Sequence, residues 1–141
     1  MPAFQTSLAV PLTTVGGWEP TPTLLFNAET PAANTASIAV AIQPPTLLNS
    51  VGRVVSFVFE CPLGIGAGVF QIQESDGPDA TNAASYVSCV FGGNVPGLVN
   101  SSSFITPGGT TAKVTLQLRT RFVRIYCVTA PQNPVTVRVS A

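Results

Sequence analysis

Ala112-Lys113-Val114-Thr115-Leu116-Gln117-Leu118-Arg119 decides the fold class. Val114, Leu116 and Leu118 occupy alternate positions, and Lys113, Thr115, Gln117 and Arg119 fill the places between. A helix would return apolar residues to one face about every three to four positions. A period of two instead sets them all on one side of a strand, with the polar residues turned to water.

Working outward from this stretch, the same period recurs. Val135, Val137 and Val139 oppose Thr136 and Arg138 near the C-terminus. Val123, Ile125 and Cys127 oppose Arg124 within Phe122–Thr129, and Phe70 and Ile72 alternate with Gln71 and Gln73. Ile38, Val40 and Ile42 alternate with small residues. Val87, Cys89 and Phe91 would share one face of Ser85–Phe91. In Val54–Glu60 one face carries Val55, Phe57 and Phe59 and the other is largely apolar too, which marks a central strand. Phe4–Val10, Thr23–Phe26 and Leu98–Ile105 are weaker strands. Turn chemistry separates the runs: Asp76-Gly77-Pro78, Pro107-Gly108-Gly109 and Pro131-Gln132-Asn133-Pro134, with Pro44-Pro45 as a strand stop. The reading is all-β: an antiparallel, jelly-roll-like β-sandwich of about eight to ten strands.

The chain has 141 residues, enough to bury a core without staples. No linker or fixed-period repeat divides it. Residues 1–35, rich in Pro and Thr, read as an irregular N-terminal arm, and residues 36–141 as the sandwich domain. Phe4 and Trp18, the sole tryptophan, are the arm's candidate anchors for a partner. The stretch Met1–Gly17 lacks the basic segment of a secretory leader, and no long apolar run suggests a membrane span.

Charged residues make up 9%, and six cations balance six anions. So weak a field argues against a nucleic-acid partner, because phosphate contacts need clustered Lys and Arg. A sparsely charged surface also has little colloidal protection, so coverage by other subunits is expected. The absence of histidine removes the commonest general base and the usual triads. No catalytic residue, metal site or cofactor is assigned. Glu74, Asp76 and Asp79 gather oxygen atoms near one turn, but without the regular spacing of a calcium loop, and read as a solvated loop. Gly64-Ile65-Gly66-Ala67-Gly68 lacks the lysine and the helix of a phosphate loop. Arg119, Arg121 and Arg124, close to Phe122 and Tyr126, read as surface arginines that pair with carboxylates across a sheet or a subunit interface. Of these, Arg121 and Arg124 are candidate partner-binding residues. Cys61, Cys89 and Cys127 form no CxxC and read as free core thiols, with a Cys89–Cys127 bridge as the alternative.

From Val54 to Ala141 the order of segments carries a resemblance. Phe70-Gln71-Ile72-Gln73-Glu74-Ser75 leads into Asp76-Gly77, then Ser85-Tyr86-Val87, Arg121-Phe122-Val123-Arg124-Ile125, and a terminal Val135-Thr136-Val137-Arg138-Val139-Ser140-Ala141. This resembles the small β-sandwich or jelly-roll domains of tailed-bacteriophage virion proteins, several of which are capsid decoration (cement) proteins. Tyr86 stands where a Trp often follows the turn, and Pro131–Pro134 replaces a Gly-rich turn. The resemblance implies a structural protein made in the host cytoplasm and carried on the virion capsid surface. Its partners would be the major capsid protein and further copies of itself, a trimer being favoured. The alternative is a tail- or fibre-associated module that binds a carbohydrate or receptor, through Tyr86, Tyr126, Asp76 and Asn82. The major shell protein of a small virus is a weaker third reading, since the chain has no basic arm to package RNA.

Overall fold

The structure is a computed structural model that describes residues 10–11, 22–42, 53–64, 66–89, 111–118 and 120–140. The described residues form ten strands in two sheets: β1 (Val10–Pro11), β2 (Thr23–Glu29), β3 (Thr35–Ala36), β4 (Val40–Ala41), β5 (Arg53–Glu60), β6 (Val69–Ser75), β7 (Val87–Ser88), β8 (Thr111–Leu118), β9 (Phe122–Thr129) and β10 (Val135–Ser140). Sheet A runs β1-β4-β9-β6-β7 with β3 also paired to β9, and sheet B runs β2-β10-β5-β8. Every pairing is antiparallel except the two-residue parallel bridge between β1 and β4.

β3 and β4 both pair with β9 and act as one broken strand. At the break Ser37 keeps the ladder intact. Its backbone N–H donates to the Ile125 carbonyl (2.8 Å), and its hydroxyl accepts the Ile125 N–H (3.0 Å). Counting that pair once and setting β1 aside, the chain order of strands is first–eighth–third–sixth in one sheet and second–seventh–fourth–fifth in the other. This is jelly-roll wiring.

The period-two residues meet between the sheets. Val55, Phe57 and Phe59 of β5, Val137 and Val139 of β10, Phe70 and Ile72 of β6, and Val123, Ile125 and Cys127 of β9 are all fully buried. Three rings bridge the layers: Phe70 lies 6.3 Å from Phe26 and 5.7 Å from Phe59, centroid to centroid. As the alternation in 112–119 requires, Ala112, Val114 and Leu118 are buried while Lys113, Thr115 and Gln117 are exposed. β5 is central, between β10 and β8.

Two expectations change. Part of the arm expected over 1–35 belongs to the sandwich: Thr23–Glu29 is β2, the neighbour of β10, with Leu25 and Phe26 in the core. Two register shifts hid this strand's period, one at Leu25 and one at Asn27–Ala28. Two residues, Asn27 and Ala28, face Thr136, Ala28 takes φ 49°, and its N–H donates to the Thr136 hydroxyl (3.0 Å). The strand expected over Ser85–Phe91 pairs only at Val87–Ser88, preceded by a single 3-10 turn at Ala83–Ser85. Val87 is 62% exposed, not on a buried face with Cys89, because on this short edge strand the core extends over Cys89 but not over Val87. Phe4, Trp18, Phe91 and the weak strand Leu98–Ile105 lie outside the described residues.

One glycine has a fixed task. Gly66 takes φ +63°, and a Cβ there would fall 2.5 Å from Gln132 Oε1. The left-handed turn thus lets the link after β5 close onto the β9–β10 link, where the Asn133 side-chain amide donates to the carbonyls of Leu63 and Gly64 (3.0 Å each).

Candidate functional site

Alternation in β9 sends Val123, Ile125 and Cys127 into the core and Phe122, Arg124 and Tyr126 to the outer face of sheet A. The register with β6 places Ser75 beside Phe122, Gln73 beside Arg124 and Gln71 beside Tyr126. One half of this face is roofed by the link between β6 and β7. The link is held by short local bonds. The hydroxyls of Ser75 and Ser85 are 2.7 Å apart, and the Gly77 N–H donates to Ser75 Oγ (3.0 Å). Asn82 Oδ1 caps the 3-10 turn by accepting the Ala84 N–H (3.1 Å). The Tyr86 hydroxyl donates to the Ala80 carbonyl (2.9 Å). Ala39, Ala80 and Tyr86 then bury one another, with Phe122 packed alongside, as a small apolar cluster outside the main core.

Arg124 sits within this roof. It is 5% exposed, its guanidinium carbon stands 3.9 Å from the Tyr86 ring centroid and 6.0 Å from that of Tyr126, and its Nε donates to Gln73 Oε1 (2.9 Å). Burial lowers its pKa while the two tyrosines work against that shift; an arginine nonetheless stays charged. Burial likewise raises the Tyr86 phenol. The surface arginine expected to meet a carboxylate is therefore corrected. Arg124 is buried, held by an amide and an aromatic ring. The period of β9 shows which face the side chain takes, not that a later loop covers that face. Arg121 behaves differently. Its N–H donates to Asp76 Oδ1 (3.2 Å), its guanidinium reaches the Gly77 carbonyl (3.5 Å) and lies 5.2 Å from the Phe122 ring centroid. It ties β9 to the start of the same roof. Arg119, Phe4 and Trp18 lie outside the described residues.

The residues named for saccharide binding do not assemble as a group. Tyr86 is buried, Asn82 caps a turn and Asp76 holds the Arg121 amide; Tyr126 alone stays half-exposed on the open part of the face. The carboxylates near the turn also go separate ways. Glu74 accepts a bond from Cys89 Sγ (3.0 Å), and Asp79 binds the Thr81 hydroxyl (2.7 Å) and N–H (2.8 Å), which hold its carboxyl below the usual range. Among the described residues no three His, Cys, Asp or Glu side chains gather as a metal site. The amide pair Gln71–Gln73 was not singled out from the sequence. Its signal was present: two amides at alternate positions of a strand whose other face is Phe70 and Ile72.

All three cysteines are free and buried, so the alternative Cys89–Cys127 bridge is not formed. Burial raises Cys61, the Glu74 carboxylate adds to burial at Cys89, and Cys127 is pushed up to about 11. Above the ordinary thiol value of 9.0 the unfolded chain loses protons that the folded chain keeps, until about 11 at Cys127. Stability is therefore full below about pH 9 and falls as pH rises toward about 11, by no more than about 1.4 kcal/mol per unit for each thiol. Urea midpoints measured across that range are expected to decline, and Cys127→Ala is expected to make the decline shallower. A flat profile would contradict the assignment of buried, protonated thiols.

At one end of the sandwich Ala28, Pro62, Leu63, Pro134 and Thr136 line an open apolar hollow of about 170 Å³. Among the described residues no helix is long and apolar enough to cross a membrane. The fold and site together define a jelly-roll sandwich with one partly roofed polar sheet face. Comparison with protein-family models, with curated proteins and with solved structures returns no match in any of the three.

Proposed function

We propose that this chain is a structural virion protein that decorates and stabilises a bacteriophage capsid, bound to the major capsid protein and to further copies of itself, with a trimer favoured. The observation that supports it best is the outer face of sheet B. Val54, Ser56 and Val58 of β5 lie opposite Gln117, Thr115 and Lys113 of β8. The Ser56 and Thr115 hydroxyls are 3.0 Å apart, and Arg138 pairs with Glu60 within the face. Val54 is 57% exposed and Leu24 40%. Val54, Ser56, Val58 and Thr115 at the centre of this face are short side chains, which lose little rotamer entropy when covered. The face suits coverage over a broad area rather than recognition at one reactive point. The segmental resemblance over Val54–Ala141 and the balanced charge agree with this use. Binding only to the assembled shell would stabilise it by mass action.

Quantitative mass spectrometry of purified particles tests the reading. One copy per shell subunit, or a simple fraction of that, is expected. A few copies per particle would favour a tail or fibre module, and absence from particles would remove the virion reading. Deleting residues 1–20, which carry Phe4, Trp18 and β1, is expected to abolish capsid binding while leaving the β-rich circular dichroism spectrum. Full binding by the truncated chain would refute the arm's role.

A further inference from the structure

We infer that the open half of the outer face of sheet A is a saccharide-binding strip centred on Tyr126 and Gln71. The inference goes beyond the capsid reading and does not depend on it. It starts from the buried cation. Arg124 Nε is a donor only, so the Gln73 atom that meets it at 2.9 Å is the carbonyl oxygen. The Gln73 amide nitrogen must then turn away, and it donates to Gln71 Oε1 at 3.3 Å. With its oxygen engaged, Gln71 has its NH₂ group as the terminal donor of the ladder, on the residue that pairs across the strands with Tyr126. The order of donors along the face is thus set by the guanidinium of an arginine that is 5% exposed.

The far side of Tyr126 has a second amide. The Tyr126 hydroxyl lies 3.4 Å from Asn34 Oδ1, which leaves the Asn34 NH₂ group directed elsewhere, and Asn34 is exposed at φ 62°. An aromatic ring beside the Gln71 amide, with its hydroxyl bonded to the Asn34 amide oxygen, matches a sugar. One face of a pyranose is a patch of C–H groups that packs on an aromatic ring, and its rim of hydroxyl oxygens accepts hydrogen bonds. A phosphate-bearing ligand fits less well, because the cation of the strip, Arg124, is 5% exposed and lies against Tyr86. Gln71, Gln73 and Tyr126 are all half-buried, so the strip is anchored before a ligand arrives.

The test uses the full chain on an array of immobilised oligosaccharides. Titration of ¹⁵N-labelled protein with glucose, galactose and N-acetylglucosamine follows, up to millimolar concentrations. Binding of at least one saccharide is expected, with shifts in the Gln71 side-chain NH₂ resonances. Tyr126→Ala and Gln71→Ala are each expected to weaken it by about tenfold or more. Tyr126→Phe keeps the ring and should lose less. Thermal unfolding of each variant checks that the fold persists. No binding on the array or by titration would overturn the proposal. So would binding that both alanine variants leave unchanged, since the ligand would then sit elsewhere.

Discussion

Phe70→Ala is expected to lower the unfolding free energy by about 3–5 kcal/mol, with a matching fall in the urea midpoint and an unchanged slope. Phe70 is fully buried on β6 of sheet A, and its ring meets Phe26 of β2 and Phe59 of β5, both in sheet B. It is therefore a contact between layers, not only within one. Truncation removes the transfer free energy of the ring and leaves a cavity that strands, fixed by their ladders, cannot collapse into. Domains of this kind have about 5–15 kcal/mol in total, so the variant would be marginal at 37 °C. Val54→Ala is the control. Val54 is 57% exposed, and a change within about 0.5 kcal/mol is expected. Equal losses at the two positions would mean that the two sheets do not share one core.

Arg124→Ala should cost about 2–4 kcal/mol and loosen the roof over sheet A before the rest of the fold. The substitution takes the guanidinium from the Tyr86 ring at 3.9 Å and leaves Gln73 Oε1 without its donor. Hydrogen exchange locates the effect: the amides of Ala84 and Tyr86, bonded to Asn82 Oδ1 and the Ala83 carbonyl, should exchange faster. Arg124→Lys should recover only part of the loss, since an ammonium cannot stack its plane on a ring and donate along the strand at once. Arg124→Met separates packing from charge. A buried cation is costly to desolvate, and an apolar side chain of similar length can match its stability. If Met is neutral for stability but disorders the Gln71 side chain, the charge serves to orient the amide ladder.

The legible part of the fold was the part written in alternation. β5, β6, β8, β9 and β10 are uninterrupted period-two runs, and each forms its strand with the expected face inward. β2 was weak because register shifts at Leu25 and at Asn27–Ala28 break the period, although the strand seats Leu25 and Phe26 in the core. β7 was overestimated because Val87 and Cys89 read as equals when only one is covered. The site was legible to a smaller degree. Arg124 and Tyr126 stood out as a cation beside aromatics, and their shared face followed from the period. Their environment did not. Tyr86 and Ala80 come from a loop more than thirty residues away in sequence from Arg124, and nothing in β9 announces which loop will fold across it.

Residue order alone determined that this chain is all-β and which face of its period-two strands is apolar. Those properties are local: they depend on the two-residue repeat of a strand and on the chemistry of the turns between. Tertiary structure decided the jelly-roll order of strands, the burial of Arg124 under Tyr86, and the direction of the amide ladder toward Tyr126. These depend on which distant segments cover a face, and a hydrogen bond acquires its direction only when its donor has been placed.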